Sequence, residues 1–306
     1  MRSSCKIHTS LFLFAIICLV TPANLHAQVV QMPVRSAVDR NSISDANPPG
    51  TTPAPLPLQD ALPQPIPNSK QEVVNKTIII GFVGGFVKHD DPRHPEVQFA
   101  AYLRDRYPSG IYVEVFSNHK GRQALHQILR LLDADHDGKL STAEKQQARI
   151  IIYGHSWGAS ETVSLARMLG QEGIPVLLTI QMDTIAKPGQ KGATISSNVA
   201  SAVNFYQSRG PLHGRAAILA ADPARTKIIG NFKMTYENHP VNCDNYSWYA
   251  RAFNKPHHQI ENDPRVWDQT ASLIDSQLSS SGSAGPASLP LPSTSSLFNA
   301  IYARQR

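Results

Sequence analysis

The sequence has little cysteine, few aromatic residues and no block of like charge. Its three cysteines are Cys5, Cys18 and Cys243. The first two fall in an N-terminal segment where Arg2 and Lys6 precede an apolar run from Leu11 to Val20, followed by "TPANLHAQ". That order of charge, apolar run and small residues is the pattern of a secretory signal peptide. The run is shorter than the about 20 residues a membrane-crossing helix needs, so no stable membrane anchor is expected. Ala27 is the expected last residue before cleavage, although Leu25 is bulky for its place. Ile16 and Ile17 stand where small residues would precede a lipid-bearing Cys18, which argues against lipid attachment. The expected destination is secretion or the periplasm. There disulfides are permitted, yet the processed chain would keep Cys243 alone and could form no internal one. A lone cysteine reads first as a small buried hydrophobe rather than a nucleophile. Aromatic residues make up 7% of the chain, and the formal charge of +6 is spread along it. With no basic helix and no array of aromatic and basic residues, nucleic acid is not an expected partner.

Proline is present in quantity, but in one place. Residues 28–72 include "NPPGTTPAPLPLQDALPQPIPNSK", a composition that favours extended polyproline geometry and cannot build a core. It reads as a disordered linker. The stretch "SSSGSAGPASLPLPSTSS" gives residues 280–306 the character of a low-complexity tail. Residues 73–279 remain, enough for one domain with a sizeable core.

Inside that domain apolar runs alternate with helix-like stretches. Strands are expected at "KTIIIGFV" (76–83), "IYVEVFS" (111–117), "RIIIYG" (149–154), "IPVLLTIQM" (174–182) and "TKIIGNFKM" (226–234). Helical spacing is seen in "PEVQFAAYLRDRY" (95–107), "GRQALHQILRLL" (121–132), "STAEKQQA" (141–148) and "ASETVSLARML" (159–169). Continuous apolar strands separated by helices imply a doubly wound, mostly parallel sheet covered on both faces. Ligands of such α/β domains bind at the carboxyl edge of the strands.

Gly154, Ser156 and Gly158 form G-x-S-x-G at such an edge, with a strand before and a helix after. The motif alone is a cheap match that an ordinary tight turn also satisfies. In its strand-turn-helix context it places a serine oxygen above the sheet edge, with small neighbours allowing the backbones to approach. With these residues the chain resembles the α/β-hydrolase superfamily over about residues 76–279. The resemblance implies a lipase-like or esterase-like serine hydrolase with the order serine, acid, histidine. Ser156 matches the nucleophile. One oxyanion donor would be the backbone N–H of Trp157, the other that of Gly85 or Phe86 in "GFVGGF" after the first strand. The histidine would come from a late loop, "NKPHHQIENDP", where the spacing favours His257 over the alternative His258. Asp263 and Pro264 then read as the N-cap and first residue of a last helix. The acid would be Asp183, after the fourth expected strand, with Asp222 in "ILAADPAR" as the alternative. Trp157, Phe86 and Trp267 would line an acyl pocket or belong to the core.

Before the serine strand, Asp133, Asp135, Asp137, Gly138, Ser141 and Glu144 reproduce the twelve-residue EF-hand calcium loop, residues 133–144. The three aspartates supply carboxylate oxygens, Gly138 the sharp turn, Lys139 a backbone carbonyl, and Glu144 two closing oxygens. Ser141 with Glu144 is also a capping box that needs no metal, and no second loop accompanies the first. A structural calcium ion is the expected cofactor, stiffening the crossover into the serine strand. The residues thus imply a secreted hydrolase of small-molecule or lipid esters. The alternative is a catalytically silent calcium-binding module with a hydrolase fold, serving as a binding scaffold.

Overall fold

The computed structural model describes residues 77–187 and 194–279. The expected signal segment 1–27, linker 28–72 and tail 280–306 lie outside them. Among the described residues no helix is long and apolar enough to cross a membrane.

Six strands form one sheet: β1 (Thr77–Phe82), β2 (Ile111–Phe116), β3 (Arg149–His155), β4 (Val176–Met182), β6 (Val199–Tyr206) and β8 (Lys227–Lys233). Their order is β2-β1-β3-β4-β6-β8 and every neighbouring pair is parallel. Two short strands, β5 (Thr194–Ile195) and β7 (Leu219–Ala220), pair beside it.

The unbroken apolar runs have a simple cause: both faces of the central strands are buried. In β1 and β3, Ile79, Ile151 and Tyr153 face a layer made by α1 (Pro95–Arg106), α5 (Trp248–Glu261) and α6 (Pro264–Ser279), through Phe99, Leu103, Ile260, Val266 and Trp267. Their alternates Ile78, Ile80, Ile150 and Ile152 meet α2 (Gly121–Leu132) and α4 (Trp157–Gln171), through Ala124, Ile128, Leu165 and Leu169. Each such isoleucine contributes about 1.5–3 kcal/mol relative to exposure. The sheet therefore cannot slip register without moving side chains between two filled layers.

β6 was not among the expected strands. Its sequence, VASAVNFY, has few large apolar residues, but it pairs with β4 and β8, and Val203 and Phe205 are fully buried. A second difference is the short helix α3 (Thr142–Gln146), five residues in place of the eight expected at 141–148. β3 begins at Arg149 and Ala148 is already buried, so the chain has no room for a longer exit helix.

The strand order reverses between β1 and β3: from β1 the chain goes outward to β2 and then returns to the other side of β1. The crevice beyond the carboxyl ends of these two strands is where ligands of open α/β sheets bind.

Candidate active site

β3 ends at His155 and α4 begins at Trp157, leaving Ser156 alone to turn the chain. It does so with φ 57° and ψ −120°, a conformation that costs a non-glycine residue on the order of 1–3 kcal/mol. The turn is possible because its neighbours lack side chains. A Cβ on Gly158 would lie 2.3 Å from the Phe82 carbonyl oxygen, and one on Gly154 would lie 2.6 Å from the Gly158 carbonyl carbon. Backbone bonds hold it from the β4 side. Ser156 N–H donates to the Met182 carbonyl at 2.9 Å, and Ile185 N–H donates to the Ser156 carbonyl at 3.3 Å.

Asp183 follows β4, itself at φ 44°. Its carboxylate is fully buried and accepts four hydrogen bonds. Oδ1 receives Gly214 N–H at 2.7 Å and Gln207 N–H at 3.2 Å; Oδ2 receives Gln207 Nε2 at 2.8 Å and His257 Nδ1 at 2.6 Å. A carboxylate can only accept, so the proton of that last bond is on His257 Nδ1. His257 Nε2, thereby left bare in the neutral ring, lies 2.9 Å from Ser156 Oγ. Ser156, His257 and Asp183 are thus brought into one hydrogen-bonded line.

The alternatives lie elsewhere. Asp222 opens a turn, its Oδ1 accepting Ala224 N–H at 3.0 Å and its carbonyl accepting Arg225 and Thr226 N–H. His258 stacks on Tyr246 at 3.7 Å, and burial first, then His257, lowers its pKa to about 4. The two histidines are not on a loop as expected; both are in α5. That helix is broken at Asn254 (φ −128°), and Pro256 stands at the start of its second segment, where a missing N–H costs nothing. His257 is therefore held on a helical turn. Asp263 does open α6, accepting Arg265 N–H at 2.9 Å.

The loop after β1 closes the other side. Gly84, Gly85, Phe86 and Trp157 line, with Ser156 and His257, a cavity of about 1060 Å³. Asn118 Nδ2 donates to the Gly84 carbonyl at 2.7 Å. Because a trans peptide points its C=O and N–H in opposite directions, this bond also fixes the direction of Gly85 N–H. Phe86, at φ 63°, is 97% exposed and leans on the Trp157 ring at 5.4 Å. Trp267 belongs to the core: it is fully buried and its Nε1 donates to the Glu261 carbonyl at 2.6 Å.

Behind His257 is a polar cluster that no spacing in the sequence advertised. His94, at the start of α1, places Nδ1 2.9 Å from Glu261 Oε1. Tyr246 donates to Glu261 Oε2. His155 Nδ1 stands 3.6 Å from Glu261 Oε2 and 3.9 Å from Glu96 Oε1. Burial, and then the neighbouring Glu261, pushes the Glu96 carboxyl well above the usual carboxylate range; burial raises Glu261 to about 7. Burial pushes His94 and, far more, His155 below the usual imidazole value. The only sequence signal was negative: two glutamates at positions where helices α1 and α5 bury their faces.

In the acidic loop, carboxylate oxygens of Asp133, Asp135 and Asp137 lie within 4.8 Å of one another. Gly138 takes the turn at φ 79° and its N–H donates to Asp133 Oδ2 at 3.1 Å. Lys139 N–H donates to Asp137 Oδ1 at 2.7 Å. Glu144 reaches back to the Ala134 and Ser141 N–H groups at 2.8 Å each, and Ser141 Oγ accepts Glu144 N–H, so the capping box is formed.

No family model and no curated protein matches the chain. Among solved structures it is similar to human thioesterase 2, at 11% identity and TM-score 0.37, covering 68% of this chain and 98% of that one. It is similar to a cutinase-like protein from Cryptococcus sp. at 13% identity and TM-score 0.37, covering 66% and 95%. It is also similar to an acetyl xylan esterase at 13% identity and TM-score 0.32, covering 66% and 99%.

Proposed function

We propose that the protein is a serine hydrolase of carboxylic esters. The observation that carries this reading is the line from Asp183 through His257 to Ser156, at 2.6 and 2.9 Å, at the carboxyl edge of a parallel sheet. Nucleophile, base and orienting acid need these contacts in this order. In the first half-reaction Ser156 Oγ attacks the ester carbonyl carbon as its proton passes to His257 Nε2. Asp183 keeps the ring in the tautomer that can accept it and stabilises the imidazolium. The carbonyl oxygen, now an anion, is held by backbone N–H groups: that of Trp157, which as the first residue of α4 has no intrahelical partner, and that of Gly85 or Phe86. Collapse expels the alcohol, protonated from Nε2. Water, losing its proton to the same nitrogen, then attacks the acyl-enzyme; Ser156 leaves with that proton and the acid is released.

The cavity and the exposed Phe86 at its rim suit an apolar acyl group. The N-terminal apolar run supports export of the enzyme to the periplasm or beyond. In the same reading the loop 133–144 takes one calcium ion through Asp133, Asp135 and Asp137, with the Lys139 carbonyl, Ser141 and Glu144 completing the set. Their oxygen donors suit a hard cation, and the ion's part is structural. The reading is tested by hydrolysis of p-nitrophenyl esters of increasing chain length by the wild-type protein and by Ser156→Ala. Turnover lost in the variant is expected; equal turnover in both would refute it.

A further inference from the structure

The cluster behind His257 has an unbalanced inventory. Glu96 is fully buried, and its carboxyl oxygens have no hydrogen-bond partner beyond the facing Glu261 carboxyl. Glu261, equally buried, faces it from α5. His155 adds a further acceptor: its Nε2 lies 3.1 Å from the His257 carbonyl, which can only accept, so the proton is on Nε2 and Nδ1 presents a bare lone pair to both glutamates. That Nδ1 likewise has no hydrogen-bond partner. Two buried carboxyl groups and an imidazole lone pair thus converge, an arrangement that, with both glutamates ionised, is costly unless a positive charge sits among them.

We propose that His94, Glu96 and Glu261 bind a divalent transition-metal ion of the zinc class. One ligand atom from each lies within 4.8 Å of the others; two bonds of about 2.0–2.2 Å to a common ion reach at most about 4.4 Å, so the side chains draw slightly together on binding. An imidazole with carboxylates is a donor set zinc accepts. The ion's two charges cancel those of the two glutamates. His155 Nδ1 is the fourth donor nearest at hand, and its bond to the His257 carbonyl gives it the orienting partner that metal-bound histidines commonly have. His94 and His155 both line the large cavity, which provides an access route. The site joins the start of α1, the end of β3 and the last turns of α5. It therefore clamps the helix that carries His257, and its role is structural.

This site does not depend on the esterase reading, and its test does not use activity. The full-length protein, stripped with a chelator, is titrated with zinc by calorimetry while melting is followed. The same is done for Glu96→Gln, Glu261→Gln and, in the acidic loop, Asp135→Asn. The expected result is one zinc per chain with a raised melting temperature, retained in Asp135→Asn and weakened on the order of 100-fold or more in either glutamine variant. Cobalt substitution should give visible absorption of a low-coordinate ion, also lost in those variants. No zinc binding by the wild-type protein, with Glu96→Gln melting at or above it, would overturn the proposal and leave a carboxyl pair sharing a proton. Binding lost only in Asp135→Asn would overturn it by placing the ion in the acidic loop.

Discussion

Asp183 and His257, 74 positions apart in the chain, meet at 2.6 Å with no water-accessible surface on the carboxylate. The contact fixes which imidazole nitrogen carries the proton, and the proposed chemistry turns on that. Asp183→Asn can present an N–H to Nδ1 and invert the tautomer. It should lower kcat about 10⁴-fold, while Asp222→Asn should leave kcat unchanged. Steady-state kinetics of the two variants distinguishes the assignments, and equal losses would contradict this one.

Asn118 acts at one remove, through the Gly84 carbonyl it holds at 2.7 Å. Asn118→Ala frees the Gly84–Gly85 peptide, whose N–H is one of the two proposed oxyanion donors after β1. The loss should appear in kcat, about 10–10³-fold given the worth of one such donor, with KM little changed. A purely structural part would instead lower the melting temperature and leave kcat of the folded fraction intact.

The crossing of α4 over β1 leaves no space at Gly158. Gly158→Ala puts a methyl group 2.3 Å from a backbone oxygen that cannot move without its strand. A cost of about 1–3 kcal/mol is expected, read as a lower urea midpoint at constant m-value. An unchanged midpoint would mean that the two backbones are farther apart.

Cys243 is buried, and burial first, then Glu261, pushes its thiol up to about 12. The thiolate is the reactive form and is favoured only above the pKa, so at pH 8 its fraction is on the order of 10⁻⁴. Alkylation of the native protein, followed at the Cys243 peptide by mass spectrometry, should rise about tenfold per pH unit up to about pH 11. A plateau near pH 9 would show an ordinary exposed thiol.

The acidic loop makes a separate claim. If calcium binds only the folded chain, saturation at a hundred times its dissociation constant adds about 2.7 kcal/mol. Melting should rise with calcium in the wild-type protein and not in Asp133→Asn/Asp135→Asn. The same melting temperature with calcium and with chelator would leave the loop as a capping box alone.

The fold was legible in the sequence where strands are buried on both faces. The isoleucine runs of β1 and β3 and the G-x-S-x-G between β3 and α4 define the crevice without help from tertiary structure. β6 escaped because its burial rests on Ala202, Val203 and Phe205 among polar residues, and its place was fixed by pairing with β4 rather than by its own hydrophobicity. Asp183 could be singled out because a carboxylate directly after a central strand must lie at the sheet edge. The groups that hold it, Gln207 and Gly214, could not be: they arrive from a loop after the unread strand. The stretch "NKPHHQIENDP" reads as a loop in the sequence, whereas Pro256 starts the second segment of α5 and so sets His257 on a helix. The cluster of His94, Glu96, His155 and Glu261 depends on three elements meeting, which no spacing along one of them encodes.

The most direct test of the central claim is whether Ser156 is activated. The folded protein is treated with a fluorophosphonate and its mass measured intact, then mapped by peptide digestion. One adduct on Ser156 is predicted, absent from Ser156→Ala and strongly slowed in His257→Gln. A folded protein that takes no adduct, or takes it at another serine, would contradict the account.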